Sequence, residues 1–464
     1  MNSQQESKKD SKGLIPAYGG ELKELIIKDK ELELKLLSQV SYEHECSDRN
    51  ACDVELLMVG GFSPLEGFMD KEEYKSVIKS HRDTKGLIPA YGGELKELII
   101  KDEELKLKLL SQVSYEHECS DRNACDIELL MVGGFSPLEG FMDKEEYKSV
   151  IKSHRDTKGL LFGLPIVFDT NNAQIKEGET ILLTYKKQKL AILKVSSKWE
   201  PDKAEEAEFC YGTNSLDHPA VKMIFNERGR YYIGGKVYGL ELPNRDFPCK
   251  TPKEVRDLLP ANFDVVAFQC RNPIHRAHYE LFTNALQSEN VSSNSVVLVH
   301  PTCGPTQQDD IPGKVRYLTY KKLEEEISNK KIKWAFLPYS MHMAGPREAL
   351  QHMIIRRNYG CTHFIIGRDM AGCKSSSTGE DFYGPYDAQN FANECAEELL
   401  MKTVPSKNLV YTKEKGYITA EEAKEKKYQI MKLSGTEFRK KLRNGDSIPE
   451  WFAFKSVVDV LRKS

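Results

Sequence analysis

The feature that most constrains the fold is a regular alternation of strand-like and helix-like segments after about residue 250. Short apolar runs predict strands at 264–269, 295–300, 332–338, 363–367 and 408–412. Helical spacing of apolar residues predicts helices at 275–287, 313–327, 346–358 and 392–402. Such alternation is typical of a doubly wound parallel sheet, which binds ligands at the carboxyl ends of its strands.

The first predicted strand of this region runs into the sequence Gln-Cys-Arg-Asn-Pro-Ile-His-Arg-Ala-His, residues 269–278. The helix that follows offers free backbone N–H groups at its start, and these attract phosphate. His275 and His278 are three residues apart and share one face of the first helical turn, beside Arg271. This pattern indicates a site for a polyphosphate leaving group. The alternative interpretation is that two first-turn histidines are merely solvated.

Other polar segments follow the later strands. His300 ends the second strand, and the run Gly367-Arg-Asp-Met-Ala-Gly372 ends the fourth. A glycine before an arginine lets the backbone approach a ligand while the guanidinium meets phosphate. Arg368 and Asp369 could equally form a local ion pair. Ser434 begins a capping box, a pattern that chiefly indicates the start of a helix. The alternative interpretation is that this helix start binds a second phosphate.

The N-terminal part of the chain contains a tandem repeat. Residues 13–85 recur as residues 86–158 with three internal differences, two of which exchange Glu and Lys. Because the second copy runs directly into further strand-like segments, it is the predicted partner of the rest of the fold, and 13–85 is surplus. His117, Cys119 and Cys125 match the spacing of zinc ligands only in part, since no fourth ligand follows, so no metal site is predicted.

Composition limits the functional classes. The chain has 464 residues and a formal net charge of −3, so nothing in the total charge favours nucleic-acid or membrane partners. No apolar run approaches the ~20 residues that span a bilayer, and the polar N-terminus lacks the features of a secretory or transit signal. The 11 cysteines are scattered, which fits a reducing compartment. We therefore expect a cytoplasmic location, with a plastid as the alternative.

Taken together, these segments resemble the ATP sulfurylase family. Residues 269–278 are similar to its Gln-x-Arg-Asn-Pro-x-His-x-x-His signature, and residues 367–372 to its Gly-Arg-Asp-x-Ala-Gly loop. Residues 344–348, 381–389, 434–436 and 448–451 also match family segments, as do 122–126 and 133–137. The resemblance covers about 86–464, and the Gly-x-x-x-x-Gly-Lys-[Ser/Thr] motif of a fused kinase is not found in the sequence.

Short β-rich runs separated by turns, from about 159 to 240, predict a mostly-β N-terminal domain. The doubly wound parallel sheet predicted after residue 250 is then the nucleotidyltransferase domain that the resemblance implies, followed by a small helical C-terminal region. The corresponding boundaries are a disordered tail at 1–12, the surplus copy at 13–85, the β-rich domain at 86–245, the catalytic domain at 246–403 and a small α/β region at 404–464. The resemblance also implies the reaction of sulfate with ATP, carrying Mg²⁺, to give adenylylsulfate and pyrophosphate. A homo-oligomer without nucleic-acid or membrane partners is expected.

Residue roles follow from the matched positions. Gln269 and Arg271 are implied to hold sulfate and the α-phosphoryl group, and the Ala371 backbone to close the sulfate site. The other implied catalytic residues are Asn272, His275, His278 and Cys270, of which Asn272 would orient the α-phosphate. The residues implied to hold ribose and adenine are Gly367, Arg368, Asp369, Met370 and Val410.

Three positions depart from the commonest family pattern: Cys270 replaces Thr, Met370 replaces His and His342 replaces Arg. A thiol is a weak hydrogen-bond donor, and a histidine carries less charge than an arginine at neutral pH. We expect an active enzyme with altered kinetics.

Two alternatives stay open: another His-x-x-His nucleotidyltransferase such as a cytidylyltransferase, and a catalytically inactive RNA-binding relative. The second would need a basic, aromatic-rich face, whereas 86–158 mixes Glu and Lys.

Overall fold

The computed structural model describes residues 86–307, 310–406 and 408–464. The predicted tail at 1–12 and the first repeat copy at 13–85 lie outside the described residues. No helix in the described part of the chain is long and apolar enough to cross a membrane.

A six-stranded mixed sheet organises the N-terminal region. Its strands are β1 (Tyr115–Glu118), β2 (Gly140–Phe141), β3 (Phe168–Thr170), β4 (Thr180–Tyr185), β5 (Gln188–Trp199) and β6 (Tyr231–Gly239). Their order is β1-β4-β5-β6-β2, and β3 also pairs with β6. β1 lies parallel to β4, and the other pairs are antiparallel. β1 belongs to the second repeat copy, so this copy contributes to the sheet. The sequence predicted this arrangement because the second copy runs directly into the later strand-like segments.

The N-terminal region is more helical than the mostly-β prediction. The helices are α1 (Glu103–Ser111), α2 (Asp121–Met131), α3 (Lys144–Ser153), α4 (Lys203–Tyr211) and α5 (Pro219–Asn226). Several begin at polar N-caps: the Ser120 hydroxyl accepts from the Asn123 N–H, and the Asp143 carboxylate accepts from the Glu146 N–H. Such caps satisfy backbone donors that the helix itself leaves free. The sequence therefore contained helix signals between its strand-like runs.

A five-stranded parallel sheet follows helix α6 (Pro252–Leu258). Its strands are β7 (Asp264–Phe268), β8 (Ser295–Val299), β9 (Ile332–Trp334), β10 (His363–Ile366) and β11 (Lys402–Pro405). The strands lie in the order β11-β10-β7-β8-β9. β7, the first of them in the chain, is central, and later strands are added on both sides of it. The connecting helices are α7 (Arg276–Ala285), α8 (Gly313–Glu326), α9 (Gly345–Asn358) and α10 (Asp387–Ala396).

One predicted strand of this sheet was wrong. The fifth strand is Lys402–Pro405, not 408–412, and the last predicted helix, at 392–402, is α10 at Asp387–Ala396. Pro405 lacks an N–H, which argues against a central strand. β11 tolerates this proline because it lies at the sheet edge, where one side needs no ladder partner.

The segment predicted at 408–412 belongs to a separate three-stranded antiparallel sheet. Its strands are β12 (Leu409–Thr412), β13 (Gly416–Thr419) and β14 (Ile430–Met431), in the order β13-β12-β14. Helices α11 (Ala420–Glu425), α12 (Gly435–Asn444) and α13 (Lys455–Lys463) accompany them. The C-terminal region is thus mixed rather than simply helical. Ser434 caps α12 by accepting from the Glu437 N–H, as the capping pattern predicts.

The N-terminal and parallel-sheet regions pack closely through buried polar groups. Asn358 at the end of α9 accepts from the Tyr91 N–H and donates to the carbonyl oxygens of Gly134 and Ser136. The guanidinium of Arg122 reaches the carbonyl oxygen of Met341 at 3.0 Å. The Arg122 contact holds the loop at 340–343 against α2, at the margin of the site described next.

Candidate active site

A cavity of about 450 Å³ opens at the carboxyl ends of β7 and β10. Parallel strands present their carboxyl ends at one edge, so segments distant in sequence meet there. Among its lining residues are Gln269, Cys270, Arg271, Asn272, His278, Gly367, Arg368, Asp369, Met370 and Ala371. The structure therefore brings the strand-end segment after β7 together with the loop after β10.

Arg271 is the charged side chain at the centre of the segment after β7. Its Nη1 lies 3.2 Å from Oδ2 of Asp310 and 2.9 Å from Sδ of Met343. In the amide orientation that satisfies both groups, the Gln307 side-chain oxygen accepts from this guanidinium at 2.9 and 3.0 Å. The side chain remains 21% exposed. An entering anion can thus reach the guanidinium, in competition with Asp310.

His275 and His278 form a stacked pair at the start of α7. Their ring centroids are 3.8 Å apart with an interplanar angle of 23°, and Phe452 stacks on the other side of His275. Burial lowers the pKa of His275 to about 4, and burial together with the neighbouring His275 lowers the pKa of His278 well below its usual value. Both rings are therefore neutral at pH 7.

Two features of the histidine pair point toward a ligand. His275 is the N-cap residue of α7, yet its side chain makes no capping hydrogen bond. The N–H of Arg276 donates to the carbonyl oxygen of Phe452 at 3.0 Å, and the His275 side chain does not cover the N–H groups that follow it. Nδ1 of His278 is buried and has no hydrogen-bond partner among the described residues. A buried polar atom without a partner is costly, and an anionic oxygen would satisfy it.

Gln269 connects the cavity with the protein interior. Its Nε2 donates to Oγ1 of Thr302 at 2.9 Å, and its Oε1 accepts from Nη2 of Arg356. Both ends of the amide are therefore held by neighbouring groups, and the side chain has a defined orientation.

The loop after β10 is shaped by unusual backbone conformations. Asp369 and Ala371 both have φ of +54°. A Cβ at Gly372 would lie 1.9 Å from Oδ1 of Asp369, so a larger residue there would force the Asp369 side chain to move. A Cβ at Gly367 would meet no protein atom within 4 Å, which leaves room for a ligand. Arg368 and Asp369 are exposed, and no ion pair joins them in the described part of the chain.

Two predicted residues of the signature segment differ in their surroundings. The Cys270 thiol packs in the hydrophobic core, 3.9 Å from the Tyr320 hydroxyl, and burial raises its pKa to about 12. A thiol in this position is protonated and directed at the core, so it is a poor candidate for a catalytic group. Asn272 is exposed at the cavity, while its carbonyl oxygen accepts from the Tyr320 hydroxyl at 3.0 Å.

Three further sequence candidates lie around the cavity rather than in it. Val410 pairs with Ile418 within the small sheet, and its neighbours Asn408 and Leu409 line the cavity instead. His300 is fully buried, with neither ring nitrogen partnered in the described part of the chain. His342 is 8% exposed and lies 3.4 Å from the Tyr211 hydroxyl, in a second cavity of about 440 Å³.

Residues that sequence reasoning missed include Phe452, Asp310 and Arg356. Phe452 is next to the Ile-Pro-Glu-Trp segment at 448–451, which offered an indirect signal. Asp310 and Arg356 carried no local signal, because their roles depend on contacts with Arg271 and Gln269 that only the packed chain creates.

Two family models match the chain. Residues 248–464 match the ATP-sulfurylase family model, and residues 15–90 and 88–242 each match the PUA-like domain. The first PUA-like match spans the first repeat copy, and the second begins with the second copy and continues through the following segments to residue 242.

Several fungal sulfate adenylyltransferases are similar over most of the chain. The enzyme from Phaeosphaeria nodorum is 40% identical over 394 residues, covering 81% of this chain and 67% of the relative. The Saccharomyces cerevisiae enzyme is 39% identical over 388 residues, covering 81% and 75%. The Schizosaccharomyces pombe enzyme is 40% identical over 384 residues, covering 80% and 77%.

A solved structure shares the fold. The hexameric APS kinase from Thiobacillus denitrificans superposes with a TM-score of 0.64 at 26% identity, covering 81% of this chain and 68% of that one.

Proposed function

The chain belongs to the ATP-sulfurylase family, and we propose that it is a sulfate adenylyltransferase that moves the adenylyl group of ATP to sulfate. The observation that carries this proposal is the cavity that Arg271, Gln269 and His278 line together, with His275 outside the lining and stacked on His278. It combines donors for a small oxyanion with donors for a polyphosphate at one sheet edge.

Arg271 and Gln269 would bind sulfate and the α-phosphoryl oxygens. The guanidinium supplies a forked set of donors that matches oxyanions, and the Gln269 amide adds an N–H. Ala371 lines the same cavity, and its backbone would close the sulfate site. Asn272, exposed at the cavity mouth, would orient the α-phosphate.

His275 and His278 would stabilise the leaving pyrophosphate. Neutral imidazoles donate N–H groups without needing a counter-charge, and the unpartnered Nδ1 of His278 is available for this. The backbone N–H groups at the start of α7 would add to the effect. Because negative charge on the β- and γ-phosphates grows during the reaction, these donors act most strongly in the transition state.

The loop at 367–370 would hold the ribose and adenine. Arg368 and Asp369 offer polar groups, Met370 an apolar surface, and Asn408 and Leu409 the facing wall. Val410 would contribute by positioning Leu409 rather than by direct contact. Mg²⁺ would arrive bound to the ATP phosphates as part of the substrate, since that ion commonly keeps several waters and is bound through substrate phosphates.

The reaction would be an in-line displacement. A sulfate oxygen forms a bond to the α-phosphorus while the bond to the bridging oxygen of the β-phosphate breaks, and its electron pair leaves with pyrophosphate. Sulfate is a weak nucleophile, so positioning and charge stabilisation must supply the rate. Cys270 has no step in this scheme.

The parallel-sheet order supports a doubly wound nucleotidyltransferase domain that begins near residue 246; its last strand, β11, continues to Pro405, two residues beyond the predicted boundary at 403. We also propose a homo-oligomer, for which the hexameric neighbour is the support. The cytoplasmic location stays a prediction from cysteine usage.

The deciding experiment measures sulfate-dependent pyrophosphate release from ATP, and ATP formation from adenylylsulfate and pyrophosphate in reverse. A cytidylyltransferase-like enzyme would instead release pyrophosphate with a phosphorylated alcohol, and an inactive RNA-binding relative would release none. Arg271→Ala is the control, and it should lack both activities.

A further inference from the structure

A buried guanidinium lies directly behind the proposed sulfate site. Arg356, on α9, is fully buried. Its Nη2 donates to Oε1 of Gln269 and to the carbonyl oxygen of His300, the latter at 2.9 Å. Its Nη1 lies 2.9 Å from Nδ1 of His352. Only the Gln269 side chain thus separates the Arg356 guanidinium from the cavity.

No carboxylate neutralises Arg356 within the described residues. Its partners are an amide, a backbone carbonyl and an imidazole, and the ring of Phe364 lies 5.8 Å away. Burial, reinforced by the charge of Arg356, keeps the pKa of His300 and His352 well below the usual value. An unneutralised buried charge is costly, so a nearby anion is favoured.

Arg356 also decides which way the Gln269 amide points. A guanidinium only donates hydrogen bonds, so it must face Oε1. Nε2 then donates to Oγ1 of Thr302, at 2.9 Å, and lies 3.8 Å from Sδ of Met341, a weak acceptor that lines the cavity with Gln269 and that an entering anion could replace. If the amide were reversed, its NH₂ group would meet the guanidinium and its oxygen would face an entering anion.

We propose that Arg356 is a positioning residue for sulfate: it fixes the Gln269 amide with its donor end toward the cavity and adds a buried positive charge behind it. The proposal rests on the proposed function, because it names the sulfate end of that site. It assigns specificity for an oxyanion to a residue that does not itself line the cavity.

The test compares Arg356→Lys and Arg356→Met with Arg357→Lys. Arg357 is the next residue on α9, is 3% exposed and donates to the carbonyl oxygens of Pro89 and Leu399, away from the site. The KM for sulfate should rise about tenfold with lysine and up to about a hundredfold with methionine, as for loss of a charge-assisted hydrogen bond. The KM for ATP should change by less than about twofold, and Arg357→Lys should leave both values near wild type.

A merely structural role predicts a different result. Folded Arg356→Met with a sulfate KM within about twofold of wild type would overturn the proposal. If this variant does not fold, Gln269→Glu replaces it: a carboxylate there pairs with Arg356, so the melting temperature should rise while sulfate-dependent turnover is lost. A melting temperature that falls would contradict the unneutralised charge on which the proposal depends.

Thermal protection by inorganic sulfate separates this proposal from the proposed function. Wild type should melt at a higher temperature in sulfate than in chloride of equal ionic strength, and Arg356→Met should lose this difference. Wild-type protein that shows the protection but no sulfate-dependent pyrophosphate release would refute the function and leave the role of Arg356 standing. Equal protection of both proteins would refute the role of Arg356.

Discussion

Acid should destabilise the protein through the histidine pair, and His275→Asn isolates this effect. The pKa of His275 is lowered to about 4 by burial, whereas the unfolded chain titrates near 6.5. Below about pH 6.5 the His275 imidazole is protonated in the unfolded chain but stays neutral in the folded protein. The contribution of His275 to the free energy of unfolding is therefore complete above that pH. It declines as the pH falls toward 4 and is then fully lost.

Linkage gives the size of the effect. A shift from about 6.5 to about 4 costs roughly 2 kcal/mol of folding free energy between pH 7 and pH 5 from this residue alone. The pKa is also lowered for four other histidines: His278, His300, His342 and His352. These residues add to the acid sensitivity of wild type and of His275→Asn. The contributions of His300, His342 and His352 cancel when wild type and variant are compared. The contribution of His278 becomes smaller in the variant, because His275 no longer helps to lower its pKa.

Asparagine is the informative replacement because His275 is the N-cap of α7 without a side-chain capping bond. Asn is a favourable N-cap and does not titrate, so any capping gain is independent of pH. The assay is the free energy of unfolding in urea at pH 7, 6 and 5. The free energy of unfolding of the variant, relative to that of wild type, should rise by about 2 kcal/mol as the pH falls from 7 to 5.

Ser434→Asn is the matched control, since it changes the N-cap of α12 without removing a titrating group. Its difference from wild type should be the same at each pH. If the difference between wild type and His275→Asn were also constant from pH 7 to pH 5, burial would not hold the His275 imidazole neutral.

Four further predictions concern activity. Arg271→Ala should lower turnover by about 10²–10³ with the fold intact, and a tenth or more of wild-type sulfate-dependent pyrophosphate release would contradict its role. His275→Ala and His278→Ala should each reduce kcat more than they raise the KM for ATP; equal losses would make them ground-state ligands. Cys270→Thr should keep or raise activity, because the thiol faces the core beside Tyr320; an inactive, folded variant would show a missed role. Deletion of 13–85 should preserve activity and reduce aggregation, measured by assay and light scattering; an inactive but folded product would show that the repeat has its own function.

The sequence by itself determined the family and which residue types lie at the candidate site. The run at 269–278 and the loop at 367–372 resemble the ATP sulfurylase family, and the comparisons confirm that membership. Four of the five predicted strands of the parallel sheet were located to within a few residues. These predictions succeeded because buried parallel strands are continuous apolar runs and helix starts have capping residues.

The sequence alone misplaced elements whose stability depends on neighbours. β11 was missed because a strand ending in Pro405 is acceptable only at a sheet edge, and an edge is defined by the other strands. The run at 408–412 has strand propensity, but nothing local says that it pairs with β13 and β14 instead of β10. The N-terminal helices were underestimated for a related reason: short capped helices need the sheet beneath them to be stable.

Only the tertiary structure decided how the site residues are used. Sequence treated Cys270 as a candidate beside Arg271, yet adjacent strand-end residues face opposite sides, and packing places the thiol in the core and the guanidinium at the cavity. The neutral state of His275 and His278 likewise depends on burial under Phe452 and on stacking. Arg356 lies 87 residues from Gln269 in the chain, so its hydrogen bond to that amide exists only once α9 packs against the parallel sheet. Residue types and spacing are local properties, whereas orientation, burial and charge balance arise from contacts between distant segments.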